Sequence, residues 1–125
     1  MAELVYKEEY YKITRSIYNV YNVLGSGFLE SVYHEALEYE LSRNGIPFVS
    51  KPELKIMYRE IVLQHTFIPD IVCYDKIIIE LKSVSQFTDA HIAQIMNYLK
   101  VSNMKLGMLV NFGDTNGAVI KRFVV

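Results

Sequence analysis

Residues 69–82 read Pro69-Asp70-Ile71-Val72-Cys73-Tyr74-Asp75-Lys76-Ile77-Ile78-Ile79-Glu80-Leu81-Lys82. Two β-rich runs, Ile71–Tyr74 and Ile77–Lys82, flank Asp75-Lys76. Ile71, Val72, Ile77, Ile78 and Ile79 give these runs a β-branched density that predicts strands buried on both faces, at the centre of a sheet. The second run ends in an acid and a base. Glu80 and Lys82 stand two residues apart, so their side chains share one face of the strand. A charge at the end of an apolar strand is costly unless it is paired or metal-bound. An ion pair between Glu80 and Lys82 where the strand meets solvent is one reading; a site completed by Asp70 on the neighbouring strand is the other.

The second reading carries a geometric condition. If Asp75-Lys76 were a two-residue hairpin loop, Tyr74 would pair with Ile77 and Asp70 with Leu81. Asp70 would then face away from Glu80 and Lys82. A shared site requires an odd loop, such as residues 75–77, or a bulge that shifts the alternation by one. One of these is expected.

Outward from this hairpin the period changes. Tyr6, Tyr10, Ile13, Ile17, Val20, Tyr21 and Leu24 recur at steps of three and four, which predicts a helix over about 4–24 ended by Gly25-Ser26-Gly27. Leu29, Val32, Tyr33, Ala36, Leu37 and Leu41 predict a second over 28–44, with Asn44-Gly45 as its stop. Ile46–Ser50, Leu54–Tyr58 and Ile61–Phe67 read as strands, as do Lys105–Asn111 and Ala118–Val124. Thr88 or Asp89 would cap a third helix reaching Val101. The order ααβββββαββ, read as a single domain over 1–125, argues either an α+β fold or an α/β sandwich with a mixed central sheet flanked by helices.

On the third helix Ile92, Ile95, Met96 and Leu99 form the core stripe. His91, Gln94 and Tyr98 form a polar stripe on another side, which reads either as a solvated face or as groups that hold a phosphate or water. His91 could add a proton donor, although a lone histidine is more often structural. On the second helix Glu30 flanks the apolar arc, and Glu40 falls within it by the same count, while Glu35 and Glu38 point away. Glu30 also lies in the first turn, where the helix dipole alone would account for an acid. Cys73 reads as a small buried hydrophobe. His34 and His65 have no partner at metal-ligand spacing, and Gly25-Ser26-Gly27 follows a helix rather than a strand, so it is no phosphate loop.

Composition narrows the classes. The chain has 125 residues, 6 Gly, 3 Pro and 1 Cys, which excludes collagenous and disordered chains and any disulfide framework or four-cysteine zinc site. The opening MAELVYKEEYYK is acidic and tyrosine-rich, unlike a secretory signal, and no apolar run is long enough to span a membrane, so a reducing, cytoplasmic setting is expected. Net charge is -1, with four basic and seven acidic residues over 1–45 and nine and seven over 46–125. A broad basic footprint for nucleic acid is therefore missing, and such binding must come from a site.

Gly27-x-x-Glu30-x-x-Tyr33 resembles the signature of the GxxExxY protein family, within the PD-(D/E)XK nuclease-like superfamily. Pro69-Asp70, Glu80-Leu81-Lys82 and Gln94-x-x-x-Tyr98 resemble that superfamily's successive core motifs, the last of them its RecB-like QxxxY branch. The resemblance runs from about Tyr10 to Val124 with the motifs in order. It implies a restriction-endonuclease-like fold and a metal-dependent nuclease, acting on DNA ahead of RNA. Asp70 and Glu80 would be the main ligands of Mg²⁺ or Mn²⁺, with Glu30 a further acidic ligand and the Leu81 carbonyl completing the shell. Lys82 would orient water or stabilise charge on the phosphate, while Gln94 and Tyr98 would position the scissile strand. Glu30, Asp70 and Glu80 are then expected around one point, with Lys82 beside it. The alternative is a nuclease fold kept as a non-catalytic binding or protein-interaction module. A homodimer or a protein partner that supplies substrate affinity would reconcile the site with the weak basic footprint.

Overall fold

The computed structural model describes residues 4–125, so the first three residues of the opening segment lie outside the described residues. Two helices, α1 (Lys7–Leu24) and α2 (Glu30–Arg43), precede β1 (Phe48–Ser50), β2 (Leu54–Tyr58), β3 (Ile61–Phe67), β4 (Ile71–Cys73) and β5 (Ile77–Lys82). Then come α3 (Asp89–Ser102), β6 (Leu106–Asn111) and β7 (Val119–Val124). The main sheet has five strands in the order β1-β4-β5-β6-β7, and β2 and β3 form a separate two-stranded ribbon. Among the described residues only the β5–β6 pair is parallel. Parallel neighbours need a crossover connection, and α3 supplies it.

The central strands β4, β5 and β6 are buried on both faces, as their apolar runs require, while β1 and β7 are partly exposed edges. Ile71, Cys73, Ile77, Ile79, Leu81, Met108 and Val110 turn one face to Ile13, Ile17 and Val20 of α1 and to Tyr33, Leu37 and Leu41 of α2. Val72, Ile78 and Leu109 turn the other face to Ile95 and Leu99 of α3. The result is a mixed sheet between helical layers, in agreement with the expected fold class.

Element ends differ from expectation for local reasons. The first helix starts at Lys7, because Tyr6 takes a left-handed conformation (φ 52°) with the Lys76 ammonium 4.3 Å from its ring centroid. The second starts at Glu30, with Leu29 extended before it. Pro47 has no N–H to give a ladder, and β1 begins after it; the Pro47 carbonyl accepts the Tyr74 amide at 2.9 Å.

That bond sets the geometry of the central hairpin. Cys73 pairs with Ile77, Val72 with Ile78 and Ile71 with Ile79. The loop is therefore the three residues Tyr74-Asp75-Lys76, odd as the shared site requires but one residue earlier than 75–77. Tyr74 and Asp75 both take positive φ (56° and 58°). Lys76 closes the turn with its amide on the Cys73 carbonyl (3.1 Å) and its ammonium on Glu9 (2.7 Å). Continued one step, this register sets Asp70 directly across from Glu80.

Candidate metal and nucleic-acid site

Asp70 and Glu80 are bound to each other through the backbone. The Asp70 amide donates to Glu80 Oε1 at 3.0 Å, and the Leu81 amide donates to Asp70 Oδ2 at 2.7 Å. Just before β4 begins, the Asp70 carboxylate thus takes over as acceptor for an amide of β5. Glu80 is 4% exposed. Burial first, and the Asp70 charge second, push its carboxyl up to about 8. Among the described residues no ion pair joins Lys82 to Glu80. Lys82 is half-buried and lowers the Glu80 value only as a nearby positive charge. The simple paired-charge reading of Glu80 and Lys82 is therefore not what the structure forms.

Beside the clasp, a cavity of about 600 Å³ is lined by Glu30, His34, Glu38, Ser50, Asp70 and Leu81, among others. Glu30 reaches this cavity because the chain before it is tightly held. Tyr33 is fully buried and its ring stacks on Phe112 with centroids 4.4 Å apart. Its hydroxyl donates to the Gly25 carbonyl (2.6 Å) and accepts the Phe28 amide (3.2 Å). Ser83, just beyond Lys82, donates from its hydroxyl to the Phe28 carbonyl at 2.7 Å. Gly27 sits at φ 109°, where an L side chain is strained. In the signature Gly27-x-x-Glu30-x-x-Tyr33, Gly27 permits the turn, Tyr33 clamps it, and Glu30 is delivered to the cavity wall.

On α3, Gln94 donates to the Tyr98 hydroxyl at 3.1 Å, and the Tyr98 ring stacks on Phe67 of β3 at 4.7 Å. Burial, then the Glu80 charge, raise the Tyr98 hydroxyl above the ordinary tyrosine value, which keeps it a neutral donor. His91 is structural: its amide donates to Thr88 Oγ1 (3.3 Å) and its Nδ1 accepts the Thr88 amide (3.1 Å), a reciprocal helix cap.

Three carboxylates around one point are not what the side chains form. Among the described residues no three His, Cys, Asp or Glu side chains gather into a metal cluster. Glu80 is turned onto the Asp70 amide, while Glu30 and Asp70 face the cavity. The donor set still fits a hard cation. Carboxylate and carbonyl oxygens suit Mg²⁺ or Mn²⁺, and among the described residues no cationic side chain forms an ion pair with Asp70 or Glu80.

Two groups were not foreseen from sequence. His34 Nε2 lies 2.9 Å from Ser50 Oγ, which donates in turn to Glu38, so a three-member chain ties α2 to β1 on the cavity wall. His34–Glu38 is an i, i+4 pair, a visible signal, but Ser50 lies on a different element. Asn111 is the other. Its Oδ1 accepts the amides of Val84 (3.0 Å) and Gly113 (2.9 Å), and its Nδ2 donates to the Val84 carbonyl (2.8 Å). This fastens the segment after Lys82 to the end of β6. A buried polar residue at the end of an apolar strand was the available signal.

Comparison with known proteins agrees with this geometry. Residues 7–123 match the family model of the PD-(D/E)XK nuclease superfamily, and the chain belongs to that superfamily. The crystal structure of SSO0001 superposes with a TM-score of 0.59 at 20% identity, over 75% of this chain and 48% of that one. That likeness is one of fold, and the chain spans about half the length of SSO0001. A search among curated proteins gives no significant match. Among the described residues no helix is long and apolar enough to cross a membrane.

Proposed function

We propose that this chain is a divalent-metal-dependent nuclease that hydrolyses phosphodiester bonds, of DNA in preference to RNA. The observation that carries the reading is the reciprocal Asp70–Glu80 clasp at the edge of a cavity lined also by Glu30 and Leu81. Asp70, Glu80, the Leu81 carbonyl and Glu30 would hold Mg²⁺ or Mn²⁺. When bound, the cation polarises a phosphoryl oxygen and acidifies a water. Lys82, on the face of Glu80, orients the attacking water and stabilises charge that develops on the phosphate. Gln94 and Tyr98, already bonded to each other, hold the scissile strand as neutral donors. Gly27, Glu30 and Tyr33 support membership of the GxxExxY group, and the free thiol Cys73 suits a reducing cytoplasm. With a net charge of -1, substrate affinity would be strengthened by a homodimer or a protein partner.

A second reading, a non-catalytic nuclease-fold module, is favoured by the lack of a ready three-carboxylate cluster. Calorimetry separates the two when joined to a cleavage panel of single-stranded DNA, duplex DNA and RNA. The nuclease reading expects Mn²⁺ binding that Asp70→Asn abolishes, and cleavage only when the cation is present. Absence of both metal binding and cleavage would leave the module.

A further inference from the structure

The β2–β3 ribbon stands outside the main sheet, and its tip is apolar. Met57 pairs with Val62 and Tyr58 with Ile61 across the turn Arg59-Glu60. These four side chains are 53%, 52%, 57% and 54% exposed in that order. Arg59 takes positive φ (53°), and its guanidinium lies 5.8 Å from the Tyr58 ring centroid. An aromatic ring and a guanidinium plane side by side are the pair on which unstacked bases rest. The ribbon carries Lys55 and Arg59 against Glu60, whereas residues 1–45 are distinctly acidic.

The ribbon is also joined to the site. Phe67, at the far end of β3, stacks on Tyr98, and only Ile68-Pro69 separate β3 from Asp70. From Phe67 to Val62 the strand spans about 17 Å at a rise of ~3.4 Å per residue.

Resting on the nuclease reading, we propose that the β2–β3 tip is a docking surface for single-stranded nucleic acid. Unpaired bases stack on Tyr58, Arg59 and Ile61, and the strand runs along the ribbon to Tyr98 and Asp70. A duplex, whose bases are already stacked, gains nothing at this surface. Affinity comes from base stacking more than from phosphate contacts, so a chain of net charge -1 can hold its substrate, with a shallow dependence on salt.

The test is fluorescence anisotropy of fluorescein-labelled oligo(dT), with the matching duplex in parallel, in EDTA so that no cleavage intervenes. Tyr58→Ser/Ile61→Ser should weaken oligo(dT) binding by roughly tenfold or more, since each stacked base contributes about a factor of that size. Tyr58→Phe, which keeps the ring, should bind as the wild type does and shows that the tip still folds. Equal affinity of the double variant and wild type would overturn the proposal. So would an equal loss on the duplex, or a wild-type dimer in light scattering that the double variant disperses, which would give the tip to a second copy. Binding of oligo(dT) that needs the tip in a protein that never cleaves would sustain the docking surface and sink the nuclease reading. Cleavage with binding indifferent to the tip would do the reverse.

Discussion

Asp70 and Glu80 face each other across the β4–β5 hairpin, and each is fixed by the other's strand. Glu80 Oε1 accepts the Asp70 amide at 3.0 Å, and Asp70 Oδ2 accepts the amide following Glu80 at 2.7 Å. The clasp depends on a three-residue loop, because one residue fewer would turn Asp70 to the opposite face. Two carboxylates so close, one of them buried, give the cation-free protein a predictable response to pH.

The folded value of Glu80 is about 8, against 4.5 for the unfolded chain. Between these values the folded state binds a proton that the unfolded state does not. Stability therefore falls as pH rises through this window, and the contribution of Glu80 is fully present only below the lower value. Melting in EDTA should show a midpoint that declines across the window. In Glu80→Gln the decline should flatten, and saturating Mg²⁺ should restore the wild-type midpoint at the alkaline end. A wild-type midpoint that rises over the same range would contradict the assignment.

Tyr33→Phe removes the hydroxyl that holds the Gly25 carbonyl and the Phe28 amide but keeps the stack on Phe112. A loss of about 1–2 kcal/mol in urea unfolding is expected from the broken bonds. Because the same bonds hold the turn before Glu30, the half-saturating Mn²⁺ concentration for cleavage should rise as well. A variant with lower stability and unchanged metal dependence would make Tyr33 a purely structural residue.

Gly113 packs directly on the segment after Lys82. A Cβ there would lie 2.3 Å from the Val84 carbonyl oxygen and 2.4 Å from its nitrogen, both rigid backbone. Gly113→Ala should cost about 1–3 kcal/mol through forced displacement. Asn111→Ala, which frees the same segment without a clash, should cost a similar amount through the unpaired Val84 groups. Chemical denaturation measures both, and a Gly113→Ala protein as stable as wild type would contradict the contact.

Cys73 is fully buried, and burial pushes its thiol up to about 12. Almost no thiolate is present near neutral pH, and the thiolate is the reactive species. Native protein should react with Ellman's reagent only as fast as it unfolds, with one thiol appearing at once in guanidinium. Rapid reaction of the native protein would show that β4 is open to solvent.

Much of this was legible before any coordinates, and the limits have physical causes. The β-branched runs at Ile71 and Ile77 announced buried strands, and side-chain parity turned a shared site into the demand for an odd loop. Which residues made that loop was not legible. Tyr74 is an unusual host for positive φ; its amide is held by the Pro47 carbonyl, and the next residue but one, Lys76, by Glu9 and Tyr6, all distant in sequence. The polar stripe of α3 was visible, but periodicity could not tell that His91 caps the helix while Gln94 and Tyr98 bond to each other. Glu30 was legible as a candidate only through its signature; the wheel ranked Glu40 beside it. The His34–Ser50–Glu38 chain joins a helix to a strand, and a one-dimensional pattern does not encode that pairing.

The most direct measurement is the cleavage rate of DNA by wild-type protein with Mg²⁺ or Mn²⁺, beside Glu80→Ala and Lys82→Ala purified in parallel. Cleavage should require the cation and fall by at least about a hundredfold in both variants. Cleavage that persists in both would place the chemistry elsewhere or in a contaminant, and would contradict a site built on Asp70, Glu80 and Lys82.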